Sequence, residues 1–212
     1  MRDSIHVLGI IELDSVAQGY LVLDRMVKAA PVDLLRVDVI NPGKFLIMVT
    51  GAVAEVEEAM KRGIAAAAEC LLDYLFLPNL HPDVIPALKP GHDGGEATRS
   101  GSGTFVTGLA AGSTELDALG VIEAFTTTAG IEASDAAAKE ADVRIVVIRV
   151  GDEMGGKSSA TLTGPVGEVE ASLDVARNLL TAKQLLVRTT VIPRPHEDLA
   201  PYLGGGVAAG RE

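Results

Sequence analysis

The chain has no tryptophan, a single cysteine (Cys70) and only 3% aromatic residues, and 18 Lys and Arg face 29 Asp and Glu. Each shortage excludes something. One cysteine excludes a disulfide framework and any site built from several thiolates of one chain, and a reducing cytosol is the setting it fits. A formal net charge of −11 repels phosphate backbones unless the basic residues cluster, so nucleic acid is a poor partner. No apolar run reaches the roughly 18 residues of a membrane helix. The stretch after Met1-Arg2-Asp3-Ser4 breaks at Glu12, too early and too acidic for a signal peptide. With few aromatics but 23 glycines and abundant alanine, the core has to close through small side chains. What is present suffices: 48% of the residues are hydrophobic and the mean hydropathy is +0.30, so the chain buries a substantial core. Its 212 residues lie between the size of one domain and two.

Sliding the sequence against itself resolves the length. At an offset of 111, Leu8-Gly9-Ile10-Ile11-Glu12 falls on Leu119-Gly120-Val121-Ile122-Glu123, and Gly19, Asp24, Lys28 and Ala30 fall on Gly130, Asp135, Lys139 and Ala141. After a two-residue insertion the offset is 113, and Gly43-Lys44 meets Gly156-Lys157 while Thr50-Gly51 meets Thr163-Gly164. A further step to 115 aligns Pro78, His81, Asp83 and Pro86 with Pro193, His196, Asp198 and Pro201. Ordered identities over about 80 residues mark a duplicated domain. The predicted organisation is a first domain at 1–88, a Gly/Ser-rich linker at 89–118, a second domain at 119–204 and a frayed tail at 205–212.

Each copy carries the same order of elements. In the first, Ser4 to Leu13, Val32 to Ile40, Lys44 to Thr50 and Leu75 to Leu77 read as strands. Val16 to Ala30, stopped by Pro31, reads as a helix. So does the run Val53, Val56, Met60, Ile64, Ala67 and Leu71, spaced by 3 and 4, whose helix carries Cys70. The order βαββαβ plus a terminal helix predicts an α+β fold, helices against a small antiparallel sheet, twice over.

The most chemical of the motifs is Gly151-Asp152-Glu153-Met154-Gly155-Gly156-Lys157-Ser158, which matches G-x-x-x-x-G-K-[ST] after a predicted strand and taken alone marks a nucleotide phosphate site. That mechanism needs a helix starting at the lysine, whereas Ser158 to Thr163 alternates like a strand, and Asp152 and Glu153 would repel a triphosphate. The first copy shortens the loop to Asn41-Pro42-Gly43-Lys44. Glu12 and Glu123, at matching strand ends, could be a carboxylate pair for acid and base work. Their repetition points instead to a structural role, such as accepting backbone amides at the start of the following helix. His81 and His196 each have one Asp nearby and no second His or Cys at ligand spacing, so a helix-start or interface role fits better than a metal. Cys70 is expected to pack as a small apolar residue. No nucleophile stands out, so no catalytic residue and no enzyme is predicted.

Leu8-Gly9-Ile10-Ile11-Glu12, Asp24 to Lys28-Ala29-Ala30, the loop ending Gly43-Lys44 and Val191-Ile192-Pro193-Arg194-Pro195-His196 together resemble the bacterial microcompartment (BMC) shell domain, a ferredoxin-like variant. Two copies in the standard, unpermuted order resemble the trimer-forming tandem shell proteins. Pro42-Gly43-Lys44-Phe45 is similar to the pore region of those from propanediol-utilisation compartments. The resemblance spans about 170 of the 212 residues. It implies a homotrimer, a flat pseudohexameric tile with a central pore passing small metabolites, joined to other shell proteins, hexamers and pentamers, in a shell within the bacterial cytoplasm. Carried over by residue, it makes Ile40, Asn41, Pro42, Gly43 and Gly151, Asp152, Glu153, Met154, Gly155, Gly156 the pore loops. It makes Lys28, Lys139, Arg194 and His196 the tile edge. Asn79 stands where the second copy has Arg194, which implies a weaker or differently paired edge there. At the pore, Asp152 and Glu153 would balance Lys44 and Lys157 in charge. The propanediol-utilisation relatives hold an iron–sulfur cluster through one pore cysteine per chain. Asn41 occupies that place here and an amide does not replace a thiolate, so no cofactor or metal is expected. The competing reading is a trimeric regulatory protein that binds a nucleotide or small molecule through Gly151 to Ser158.

Overall fold

The structure, a computed structural model, describes residues 6–88, 117–151 and 154–199. The predicted linker up to residue 116, the loop residues Asp152 and Glu153, and the tail lie outside the described residues.

Strands β1 (Leu8–Leu13), β2 (Asp33–Ile40), β3 (Lys44–Thr50) and β4 (Leu71–Leu77) form one antiparallel sheet in the order β2-β3-β1-β4. Helices α1 (Val16–Ala29) and α2 (Val53–Ala67) and a short α3 (Val84–Ala87) complete the first unit. The second unit repeats it. Strands β5 (Ala118–Ala124), β6 (Arg144–Val150), β7 (Ser158–Gly164) and β8 (Leu186–Ile192) lie in the order β6-β7-β5-β8, with α4 (Thr127–Glu140) and α5 (Val166–Ala182). A single 3-10 turn, Glu197–Leu199, stands where the first unit has α3. The repeat holds in register: Glu12 faces Asp73 across β1 and β4 as Glu123 faces Arg188 across β5 and β8.

Local chemistry fixes the helix ends. Ser15 accepts the Gln18 amide at 3.2 Å and Thr126 accepts the Ala129 amide at 3.0 Å, each hydroxyl satisfying one orphan donor of a first turn. Ala52 has no capping side chain, and the Glu55 carboxylate reaches back to its amide at 3.1 Å. One expectation fails here. The second helix does not run to Leu71. It stops at Ala67, Ala68 takes a φ of 50°, and a 3-10 turn from Ala68 to Cys70 leads into β4, which starts at Leu71 rather than Leu75. The apolar period continued because the strand's own leucines prolong it, and a period carries no sign of a backbone reversal.

The two central strands of the first sheet, β1 and β3, are buried on both faces. Ile11, Leu13, Ile47 and Val49 pack with Val22, Met26, Val56 and Met60 of its own helices. Leu8, Ile10, Leu46, Met48 and Leu75, pointing the other way, join a core made mostly of the second unit. The two units therefore meet in an apolar seam, where α4 lies against β1 and β4.

Candidate functional site

Two loops meet at one end of this seam. The first, Ile40 to Gly43, turns between β2 and β3; Gly43 closes it with its amide on the Ile40 carbonyl at 2.9 Å and a φ of 103°. The second links β6 to β7, and its described part, Gly151 and Met154 to Lys157, lies against the first. Gly156 has a φ of 79°, and a Cβ there would stand 2.6 Å from the Asn41 carbonyl oxygen, so only glycine lets the two backbones approach. The described pore-loop nominees Ile40, Asn41, Pro42, Gly43, Gly151, Met154, Gly155 and Gly156 thus form one cluster. Asn41, Pro42, Gly43 and Gly155 are exposed within it.

Behind the loops sits Glu12, fully buried. Its Oε1 takes the Lys44 ammonium at 2.8 Å, and its Oε2 accepts the Thr128 amide at 3.2 Å and the Thr128 hydroxyl at 3.1 Å. The carboxylate accepts an amide at a helix start, as the repetition implied, but at α4 of the other unit instead of the following α1. A negative group at a helix N-terminus is favourable in itself. Lys44, 18% exposed, also donates to the Gly156 carbonyl at 3.2 Å. Its charge is therefore spent inside the seam, which removes it from the balance expected between Lys44, Lys157 and the acidic loop residues. Beside it, Asp73 accepts the Thr126 hydroxyl at 2.7 Å.

Helix α4 carries the seam about 20 Å away from the loops, at 1.5 Å per residue over its 14 residues. At the far end, Asp135 accepts the His81 amide at 2.7 Å and the Lys139 ammonium at 2.6 Å, and Lys139 also donates to the Asn79 carbonyl. The His81 Nδ1 in turn accepts the Asp83 amide at 3.3 Å. Both structural roles foreseen for His81, helix start and interface, are present. Lys139 is occupied within its own chain. Its counterpart Lys28 is 71% exposed and, among the described residues, paired only with Asp24, one turn earlier, at 2.7 Å. Arg194 and His196 lie on the surface, and the His196 Nδ1 accepts the Asp198 amide at 3.3 Å as in the first unit.

The phosphate-loop reading meets a geometric obstacle. Lys157 leads directly into β7, no helix starts before Val166, and the ammonium lies 5.9 Å from the centre of the Phe125 ring. A cluster at these loops also lacks its ligand: Asn41 is there, and the one thiol, Cys70, sits on the turn before β4, packed against the first core. Partial burial, and after it the Asp14 carboxylate, push that thiol above its ordinary value, away from the thiolate a metal requires. The residues present do not fit an iron–sulfur cluster. The seam groups Thr126, Thr128 and Asp73 were not singled out by motif, whereas Asp135 was met as the repeat of Asp24. The signal for the first three is the difference between the copies, Thr126-Thr127-Thr128 standing where the first has Ser15-Val16-Ala17 and Arg188 standing where it has Asp73.

Comparison with known proteins agrees with this layout. The BMC domain profile matches twice, at residues 7–80 and 118–195. The chain is 36% identical over 192 residues to the bacterial microcompartment shell protein PduT of Citrobacter freundii, covering 91% of this chain and 94% of that one. It resembles the crystal structure of a microcompartment protein from Desulfitobacterium hafniense with a TM-score of 0.71 and 37% identity, over 92% of this chain and 98% of the other. The shell protein PduA of Citrobacter freundii matches at 39% identity over 98 residues, 97% of its length but 43% of this chain, as half of a tandem protein should. The chain belongs to the BMC-domain family of bacterial microcompartment shell proteins, with two such domains in tandem.

Proposed function

We propose that three copies close into a ring of six domains, and that this ring is a wall tile with a pore lined by the loops at Ile40 to Gly43 and Gly151 to Gly156. The observation that carries the reading is an unmatched face. On α4, Thr128, Ile131 and Ala138 are buried, Thr128 against the first unit's Glu12. At the matching positions of α1, Ala17, Tyr20 (60% exposed) and Val27 face solvent. A head-to-tail contact made once inside the chain and left open at its other end repeats between copies and closes as a ring. The relatives' role in compartment walls supports the same assembly.

In this reading the protein partitions and conducts and does not catalyse. The pore passes small metabolites past backbone groups and the short side chains of Asn41 and Pro42, because Lys44 is turned inward to Glu12. Lys28, Arg194 and His196, all exposed, form the rim where neighbouring tiles meet. Sedimentation or native mass spectrometry gives the test: the expected species is 3 × 22.0 kDa = 66.0 kDa. A monomer at tens of micromolar would overturn the ring. Iron analysis of anaerobically purified protein is expected to find none in stoichiometric amount.

A further inference from the structure

The seam inside one chain is a template for the seam between chains, and the repeat says which residues each position receives. Position by position, the second copy does not repeat the chemistry. Ile10, Leu46, Met48 and Leu75, the apolar inner lining, correspond in register to Val121, Ser159, Thr161 and Thr190. The charged position reverses as well: Asp73, which accepts the Thr126 hydroxyl, corresponds to Arg188. On the opposite side Thr126 corresponds to Ser15, the cap of α1, and the residue before it changes from Phe125 to Asp14. Arg188 and Asp14 are both exposed, and among the described residues neither takes part in an ion pair.

We propose that the contact between copies is anchored by an ion pair from Arg188 of one chain to Asp14 of the next, with the Ser15 hydroxyl accepting beside it. This rests on the ring reading and names its partner, a second copy of the chain. Arginine is longer than aspartate, so from the place of Asp73 it reaches past the cap hydroxyl to the residue before it, and its planar fork suits a carboxylate. The two substitutions are complementary. An acid facing a hydroxyl within the chain becomes a base facing an acid plus a hydroxyl between chains. With threonine and serine replacing isoleucine, leucine and methionine around it, the seam between copies depends on this pair more than the internal seam depends on Asp73.

Charge reversal tests it. Arg188→Asp and Asp14→Arg are each expected to weaken the trimer by about tenfold or more per interface, read as a rise in the midpoint of dissociation on dilution. The double variant, carrying both reversals, is expected to recover most of the loss. Circular dichroism and the unfolding midpoint of the dissociated chain check that each variant is folded; the double variant tests the pairing even if one single variant folds poorly. A wild-type trimer indifferent to both reversals, or a folded double variant no better than the singles, overturns the pairing and leaves the ring. A wild-type protein that never forms a trimer overturns the ring and the pairing together.

Discussion

Lys44 and Glu12 show how much one pair can hold. Both lie inside the seam, and each satisfies a second group, the Gly156 carbonyl for the lysine and the Thr128 amide for the glutamate. Removing the cation leaves a buried carboxylate without a counter-charge, so Lys44→Met should lower the unfolding free energy by about 3 kcal/mol. Glu12→Gln keeps an acceptor for Thr128 and the side chain's volume, and removes the charge with it, so a loss of about 1–2 kcal/mol is expected. Denaturant midpoints at unchanged slope measure both; equal losses would show that the charge is not what matters. Cys70 gives a second outcome at this scale. Its raised thiol stays protonated at neutral pH, and alkylation at pH 7.5 should run slower than for free cysteine and accelerate as pH rises. The role of Glu12 was legible in kind because both copies carry it. The helix it serves was not, because a sequence periodicity describes one unit's faces and is silent about which neighbour covers them.

At the scale of elements, α1 and α4 are the same helix in two settings. The first buries one stripe, Gly19, Val22 and Met26; the second is buried nearly all round and is built of alanine, threonine and glycine between its own sheet and the first unit's. Small residues were legible in the sequence as close packing, and the structure explains why they concentrate in α4. Ile131, fully buried, and its counterpart Tyr20, which stacks obliquely on Phe45 at 5.0 Å between ring centres, make the difference measurable. Ile131→Ala should cost about 3 kcal/mol of folding stability. Tyr20→Ala should cost about 1 kcal/mol in the dissociated chain and show itself mainly as a weaker trimer. A Tyr20 variant with an unchanged trimer would argue against α1 as the receiving face. Among the strands, β3 was readable to the residue, since polar and glycine punctuation bounds it, whereas β4 was seen only from Leu75, because Leu71 at its start extends the helical period before it.

At the scale of the whole molecule, acidity becomes an assembly problem. In the proposed ring three chains carry 3 × −11 = −33, so tiles meeting edge to edge would repel at long range. In the proposed tile the rim offers Lys28 and Arg194 as local attraction, and Lys28 is suited to serve because among the described residues it pairs with the exposed Asp24 alone, whereas Lys139 is committed to Asn79 and Asp135. Lys28→Ala should therefore abolish extended sheets in electron micrographs and spare most trimers, while Lys139→Ala should also loosen the chain's own seam. Salt separates the two levels. Raising ionic strength from 0.01 to 0.15 M shortens the screening length from about 30 to about 8 Å, which quenches the repulsion between whole tiles while touching partly buried contacts far less. Sheets should grow over that range, with the trimer intact by sedimentation. Sheets that instead dissolve as salt rises would mean that the local attraction of the exposed Lys28 and Arg194 outweighs the repulsion between whole tiles.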